Sequence, residues 1–164
     1  MKTKKKNNKE IVVVLNNIRS TYNVGAIFRT SDAIRVTKIY LCGITPTPQH
    51  EKVKKVALGA ENFVKWEKYF PALRLLKKLK KEGYYLIALE QHKNSKDIFK
   101  VKKIKRNKIV LILGEEVKGI PLKILKIADL ILEIPMYGKK ESLNVAVAFG
   151  IAIYWLRNLL YNNS

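Results

Sequence analysis

The stretch IVVVLNNIRSTYNVGAIFRT, residues 11–30, decides the fold. It opens with an unbroken β-branched run, IVVVL at 11–15, the pattern of a strand buried on both faces. A polar loop follows. From Asn23 to Arg35, Val24, Ile27, Phe28 and Ile34 then recur at roughly helical spacing. A two-face-buried strand feeding a helix is the first half of a parallel βαβ unit.

The same alternation continues outward. Further strand-like runs are KIYLCG at 38–43, YYLIALE at 84–90, KIVLILG at 108–114 and LILEIP at 130–135, each ending at a polar, Gly or Pro position. Between them, 71–82 reads as a helix, with Pro71 in its first turn, Gly83 at its stop, and Leu73, Leu76 and Leu79 on one face. A short helix is expected over 121–128, and a long, mostly apolar one over 142–161. The fold class is therefore α/β, a parallel sheet flanked by helices, over 10–164. Residues 1–9, rich in lysine, read as a loose basic tail.

The chain has 164 residues and a hydrophobic fraction of 48%, enough for one well-filled core. Its 33 basic and 13 acidic residues give a net charge of +20. That charge favours a polyanion partner through counterion release, although lysine far outnumbers arginine, and a biased base composition in the source genome would give the same profile. Cys42 is the sole cysteine, so there is no disulfide framework, and a reducing cytoplasm is the expected setting. His50 and His92 are too isolated for a metal cluster, and no metal is expected. No signal peptide or membrane segment is expected; the run 145–156 falls short of the roughly 20 apolar residues a spanning helix needs. There is no G-x-G-x-x-G after the first strand, no Walker A loop and no kinase set, which argues against nicotinamide or nucleotide chemistry.

Ligands of parallel sheets sit beyond the C-terminal strand ends, so residues 16–29, 90–94, 114–121 and 135–144 matter most, and three polar loops there carry the chemistry. In the first, Arg19, Asn23, Gly25, Arg29 and Thr30 lie where strand meets helix, and backbone N–H groups near Asn23 and Gly25 are placed to bind an anion. Taken alone, Asn23 reads equally well as an N-cap beside surface arginines. The second, ILGEEVKGIP at 112–121, sets Gly114 and Glu115 at a strand end; Glu116 reads as an acid in a helix's first turn. In the third, 132–148, Ser142 reads as an N-cap, while Asn144 inside an apolar helix calls for a hydrogen-bonding partner.

Together and in this order, NIRSTYNVGAIFRT, ILGEEVKGIP and LEIPMYGKKESLNVAVAFGIAIYW resemble the three motifs of the SpoU (TrmH-like) family within the SPOUT methyltransferases; KVALGAENF at 55–63 is similar to a weaker family feature. The resemblance implies a C-terminal deep trefoil knot and S-adenosylmethionine as cofactor. It implies cofactor contacts at Gly114, Ile134 and Leu143, then Leu89, Met136, Ser142 and Asn144. It also implies a homodimer through the C-terminal helix and transfer of methyl to a ribose 2′-hydroxyl of RNA. Its catalytic positions fall on Arg29, Asn23, Glu115, Ser142 and Asn144. A guanidinium stays protonated, so Arg29 serves either as the proposed activator of the hydroxyl, helped by the substrate phosphate, or as a clamp on that phosphate that stabilises alkoxide charge. RNA contacts are expected at Arg19, Arg29, Lys139 and Lys140, and the basic clusters at 2–6, 77–81 and 102–108 read either as phosphate grips or as solvated faces. The absence of a further N-terminal RNA-binding domain favours tRNA over rRNA. Two alternatives remain: a catalytically inactive basic RNA-binding or assembly protein of this fold, and a base-methylating SPOUT enzyme.

Overall fold

The computed structural model describes residues 9–162. All its strands are parallel and form one seven-stranded sheet in the order β3-β2-β1-β6-β4-β7-β5. The strands are β1 (Glu10–Asn16), β2 (Lys38–Cys42), β3 (Trp66–Tyr69), β4 (Tyr85–Leu89), β5 (Lys96–Asp97), β6 (Lys108–Leu113) and β7 (Leu130–Glu133). The helices are α1 (Thr21–Ala33), α2 (Glu51–Ala57), α3 (Ala72–Lys81), α4 (Leu122–Leu125) and α5 (Val145–Asn162). Apart from Lys9, the expected basic tail lies outside the described residues. Among those residues no helix is long and apolar enough to cross a membrane.

The β-branched run of β1 is explained by its neighbours. Ile11, Val13 and Leu15 face one core with α1, α2 and α5; Val12 and Val14 face the other with α3 and α4. Strand β6 divides in the same way, with Ile109, Leu111 and Leu113 on the first face and Val110 and Ile112 on the second. A strand with helices on both sides has no polar face, hence no alternation in its sequence.

Several elements depart from the sequence expectation. Strands β3 and β5 are edge strands that carry Glu67, Lys68, Lys96 and Asp97, so they lack an apolar run. Helix α2 buries only Val53 and Ala57. On α3 the buried face is Ala72, Leu75, Leu76 and Leu79, with Leu73 only half-buried, and Pro71 is the N-cap rather than part of the first turn. Helix α4 covers only Leu122–Leu125 of the expected 121–128. Asn23 does not cap α1: Ser20 does, its hydroxyl accepting from the Asn23 N–H at 3.2 Å. Helix α5 starts at Val145, and its cap is Asn144 rather than Ser142; the Asn144 Oδ1 accepts from the N–H groups of Ala146 (2.9 Å) and Val147 (3.3 Å).

Gly25 does not cradle an anion. It is buried where α1 crosses α2, and a Cβ there would lie 2.7 Å from Val56 Cβ and 2.8 Å from the Val53 carbonyl oxygen. Replacing Gly25 with Ala must therefore push two helices apart, and a loss of about 1–3 kcal/mol is expected in chemical denaturation. Cys42, at the end of β2, is buried, and burial pushes its thiol up to about 12 with only partial opposition from Lys68. The thiolate is the reactive form, so alkylation near pH 8 should be negligible in the native protein and complete once it is unfolded in denaturant; rapid native labelling would contradict this burial.

Candidate active site

The three polar loops converge at the C-terminal ends of β1, β6 and β7, where parallel sheets bind ligands. The first is fixed from below by Thr45, which is fully buried. Its hydroxyl accepts from the Ile18 N–H (3.0 Å) and donates to the Cys42 carbonyl (2.7 Å), tying the loop after β1 to the end of β2. Asn17 adds a second tie by accepting from the Ile44 N–H. With Ser20 capping α1, Asn23 is held inside the first turn of the helix, 6% exposed.

The Asn23 side chain then joins the other two loops. Its Nδ2 donates to Glu116 Oε1 (3.2 Å), and its Oδ1 accepts from Asn144 Nδ2 (3.1 Å). Sequence reasoning set Glu116 aside as a helix-start acid, but there is no helix there. Residues 115–119 make a tight turn closed by the Gly119 N–H donating to the Glu115 carbonyl (2.8 Å), and this aims Glu116 at Asn23. Glu115 takes a different partner, with Arg19 Nε 3.5 Å from its Oε1. Arg19 is two-thirds exposed there, so the pair is worth little, about 0–1 kcal/mol, and releases its arginine readily.

Beside this cluster lies a cleft of about 340 Å³, in the size range of small-molecule sites. Leu89, Gly114, Glu115, Ile134, Met136, Ser142 and Leu143 all line it; Asn144, Asn23, Arg19, Arg29, Lys139 and Lys140 do not. Asn144 is instead exposed beside the cleft, as the cap of α5 and as partner of Asn23. Arg29 is exposed on α1, and Lys139 and Lys140 are exposed in the loop after β7.

Gly114 is required by its surroundings: a Cβ there would lie 2.7 Å from the Gly119 carbonyl carbon and from the Ile120 nitrogen. The turn is held against the end of β4 by Glu90, the first residue of the strand-end segment 90–94, for which the sequence offered no role. Its Oε2 accepts from the Ile120 N–H (2.8 Å), and a Cβ on Gly119, whose φ is +69°, would strike that carboxylate. Gln91 reaches the third loop, its Nε2 donating to the Glu141 carbonyl (2.6 Å).

The cleft's charge is opposite to the chain's. Its lining includes the carboxylates Glu90, Glu115, Glu116, Glu133 and Glu141, with Lys118 as the one cation among the lining residues. On a protein of net charge +20, that concentration of acid selects for a cationic small molecule over an anionic one.

The comparisons with known proteins agree with this geometry. The SpoU rRNA Methylase family matches residues 10–154. A tRNA (guanosine(18)-2′-O)-methyltransferase of Aquifex aeolicus is 33% identical over 155 residues, covering 91% of this chain and 69% of that protein. The crystal structure of the A. aeolicus TrmH/SpoU tRNA modifying enzyme superposes with a TM-score of 0.83 at 30% identity, covering 94% of this chain and 77% of that one. An AdoMet-bound rRNA methyltransferase from Sinorhizobium meliloti gives 0.84 at 26% identity, covering 91% of this chain and 56% of that one. With the motif residues gathered around one acid-lined cleft and the match running through nearly all of the described sheet and helices, the chain belongs to the SpoU rRNA methylase family.

Proposed function

We propose that this protein transfers a methyl group from S-adenosylmethionine to a ribose 2′-hydroxyl of RNA, with tRNA favoured over rRNA. The acid-lined cleft beside the Asn23–Glu116–Asn144 cluster carries this reading. S-adenosylmethionine bears a sulfonium and an ammonium against one carboxylate, a net positive charge, and its methyl on sulfur is the electrophile that the bound cofactor supplies. Leu89, Ile134, Met136 and Leu143 offer it apolar walls, Gly114 permits close backbone approach, Ser142 offers a hydroxyl, and the glutamates complement its charge. The family match and the 2′-O-methyltransferase name of the A. aeolicus relative support the chemistry, and that relative's substrate supports tRNA.

The protein's own groups then have a positioning and electrostatic task. Arg29, exposed and on the same helix as Asn23, binds the phosphate next to the target ribose and stabilises charge developing on the 2′-oxygen. Asn23, buried and bonded to both Glu116 and Asn144, fixes the start of α1 against the other two loops and so orients the helix that carries Arg29. Glu115 holds Arg19 until a phosphate replaces it. Lys139 and Lys140 extend the phosphate contacts past the cleft. The reading includes the trefoil knot over the loops after β6 and β7, consistent with β6 and β7 both inserting beside the earlier β4. It includes a homodimer as well, since α5 leaves Val147 and Tyr154 half-exposed, and a cytoplasmic location.

The direct test is transfer of labelled methyl to unmodified tRNA and, separately, to rRNA, followed by nucleoside digestion. A 2′-O-methylnucleoside is expected from the tRNA pool; a ring-methylated base, or bound RNA with no cofactor affinity, would replace this reading with another. Arg29→Ala should lower transfer by about 100-fold or more while calorimetry gives wild-type cofactor affinity. Full activity in that variant would remove Arg29 from the mechanism.

A further inference from the structure

A second concavity, of about 490 Å³, runs along the β4–β7–β5 side of the sheet, from Tyr85 and Leu130 at the starts of β4 and β7 to Lys96 of β5. Lys96, Lys103, Lys105 and Arg106 wall it, with Tyr85 beneath, and no carboxylate is among its lining residues. Arg106 is held over the Tyr85 ring, 5.3 Å from the centroid to Cζ, so its guanidinium is set in place before any ligand arrives. Tyr85 opens β4, and Leu89 at the far end of that strand lines the cofactor cleft. Tyr85 and Leu89 are about 13 Å apart along β4, while Lys96 pairs with Leu132, which pairs with Leu89, so the groove's wall runs up toward the cleft's end of the sheet.

The structure separates the lysines around this groove by what they already do. Lys102 donates to the Phe99 carbonyl, and Lys108 lies over Tyr84 and donates to the Glu82 carbonyl. Lys103, Lys105 and Arg106, between them in sequence, are exposed and line the concavity. The groove also sits on the face that matters. Tyr85, Val101, Ile104 and Leu130 pack on the core cluster shared with α1, the helix that carries Arg29. The lysines of α3 lie over the opposite core, and one of them, Lys80, is already paired with Asp129 at 2.9 Å. A polyanion whose reacting nucleotide reaches Arg29 can continue into the groove without crossing to the face that carries α3.

We propose that the groove walled by Lys96, Lys103, Lys105 and Arg106 is a phosphodiester-binding site that holds the RNA substrate at a distance from the reacting ribose. The proposal rests on the RNA methyltransferase reading above and adds the place where the substrate backbone is gripped. Four cations, one of them held over Tyr85, with no carboxylate among the lining residues suit successive phosphates, and the contribution is electrostatic and independent of sequence.

The test compares two double variants of equal charge change on opposite faces, Lys103→Glu with Lys105→Glu and Lys77→Glu with Lys81→Glu. Affinity for a fluorescein-labelled, unmodified tRNA transcript is measured from about 50 to 200 mM salt. The groove variant should bind about tenfold more weakly near 150 mM, and its slope of log affinity against log salt should be shallower by about two. The α3 variant should stay near wild type, and both should keep wild-type cofactor affinity. Should the groove variant melt early, Lys103→Gln with Lys105→Gln gives the same comparison at lower charge change. Equal losses in the two faces, or no loss in the groove, would overturn the proposal while leaving the methyltransferase reading intact. Failure of the wild type to bind tRNA or rRNA would overturn both.

Discussion

The site depends on a relay of hydrogen bonds with one possible direction. The N–H of Ala146, at the start of α5, donates to Asn144 Oδ1. That leaves the Asn144 amide to donate to Asn23 Oδ1, and the Asn23 amide to donate to Glu116. An ionised carboxylate accepts and cannot donate, so the relay is polarised from a helix N-terminus to a negative charge, each bond favouring the next. It ties together α1, the turn after β6 and the start of α5, three segments far apart in sequence. A side chain that only accepts, or only donates, at position 23 would break it on one side.

The strand ends supply the second constraint. Backbone N–H groups beyond β6 have left the sheet ladder and need partners elsewhere. Glu90 meets that need for Ile120, and its carboxylate fills the space a side chain on residue 119 would take. On the other side of the turn, the approach of Gly114 to Gly119 and Ile120 leaves no room for a Cβ. The cleft wall is thus backbone against backbone, held by the acid that follows β4. Its shape is set by the fold before any ligand enters, so less ordering is needed when one binds.

Much of this was legible in the sequence, and the gaps have physical causes. Strands β1 and β6 announced themselves because burial on both faces leaves no room for polar residues. Edge strands β3 and β5, half in solvent, carry charges and left no such trace. Leu89, Gly114, Ile134, Met136, Ser142 and Leu143, which line the cleft, stand at strand ends and in the motifs, both of which report position along the chain, whereas neither marks out Glu133 and Glu141, also in the lining. Partners across the site were harder. Whether Glu115 or Glu116 faces Asn23 is decided by the closure of one tight turn, and two adjacent acids look alike until that turn is seen. Asn144 looked like an amide buried inside a helix because its apolar successors hid the fact that the helix begins after it. Gly25 lay beside the anion-friendly loop in sequence, yet its neighbours in space are Val53 and Val56 of α2.

The contrast between an acid-lined cleft and a basic exterior has a consequence for traffic through the protein. A surface this positive collects nucleic acid, free nucleotides and other phosphates indiscriminately. A neutral or basic pocket on it would fill with them and compete with its own ligand. The glutamates make that pocket a poor host for any phosphate, so the protein sorts the two classes by sign before shape is tested.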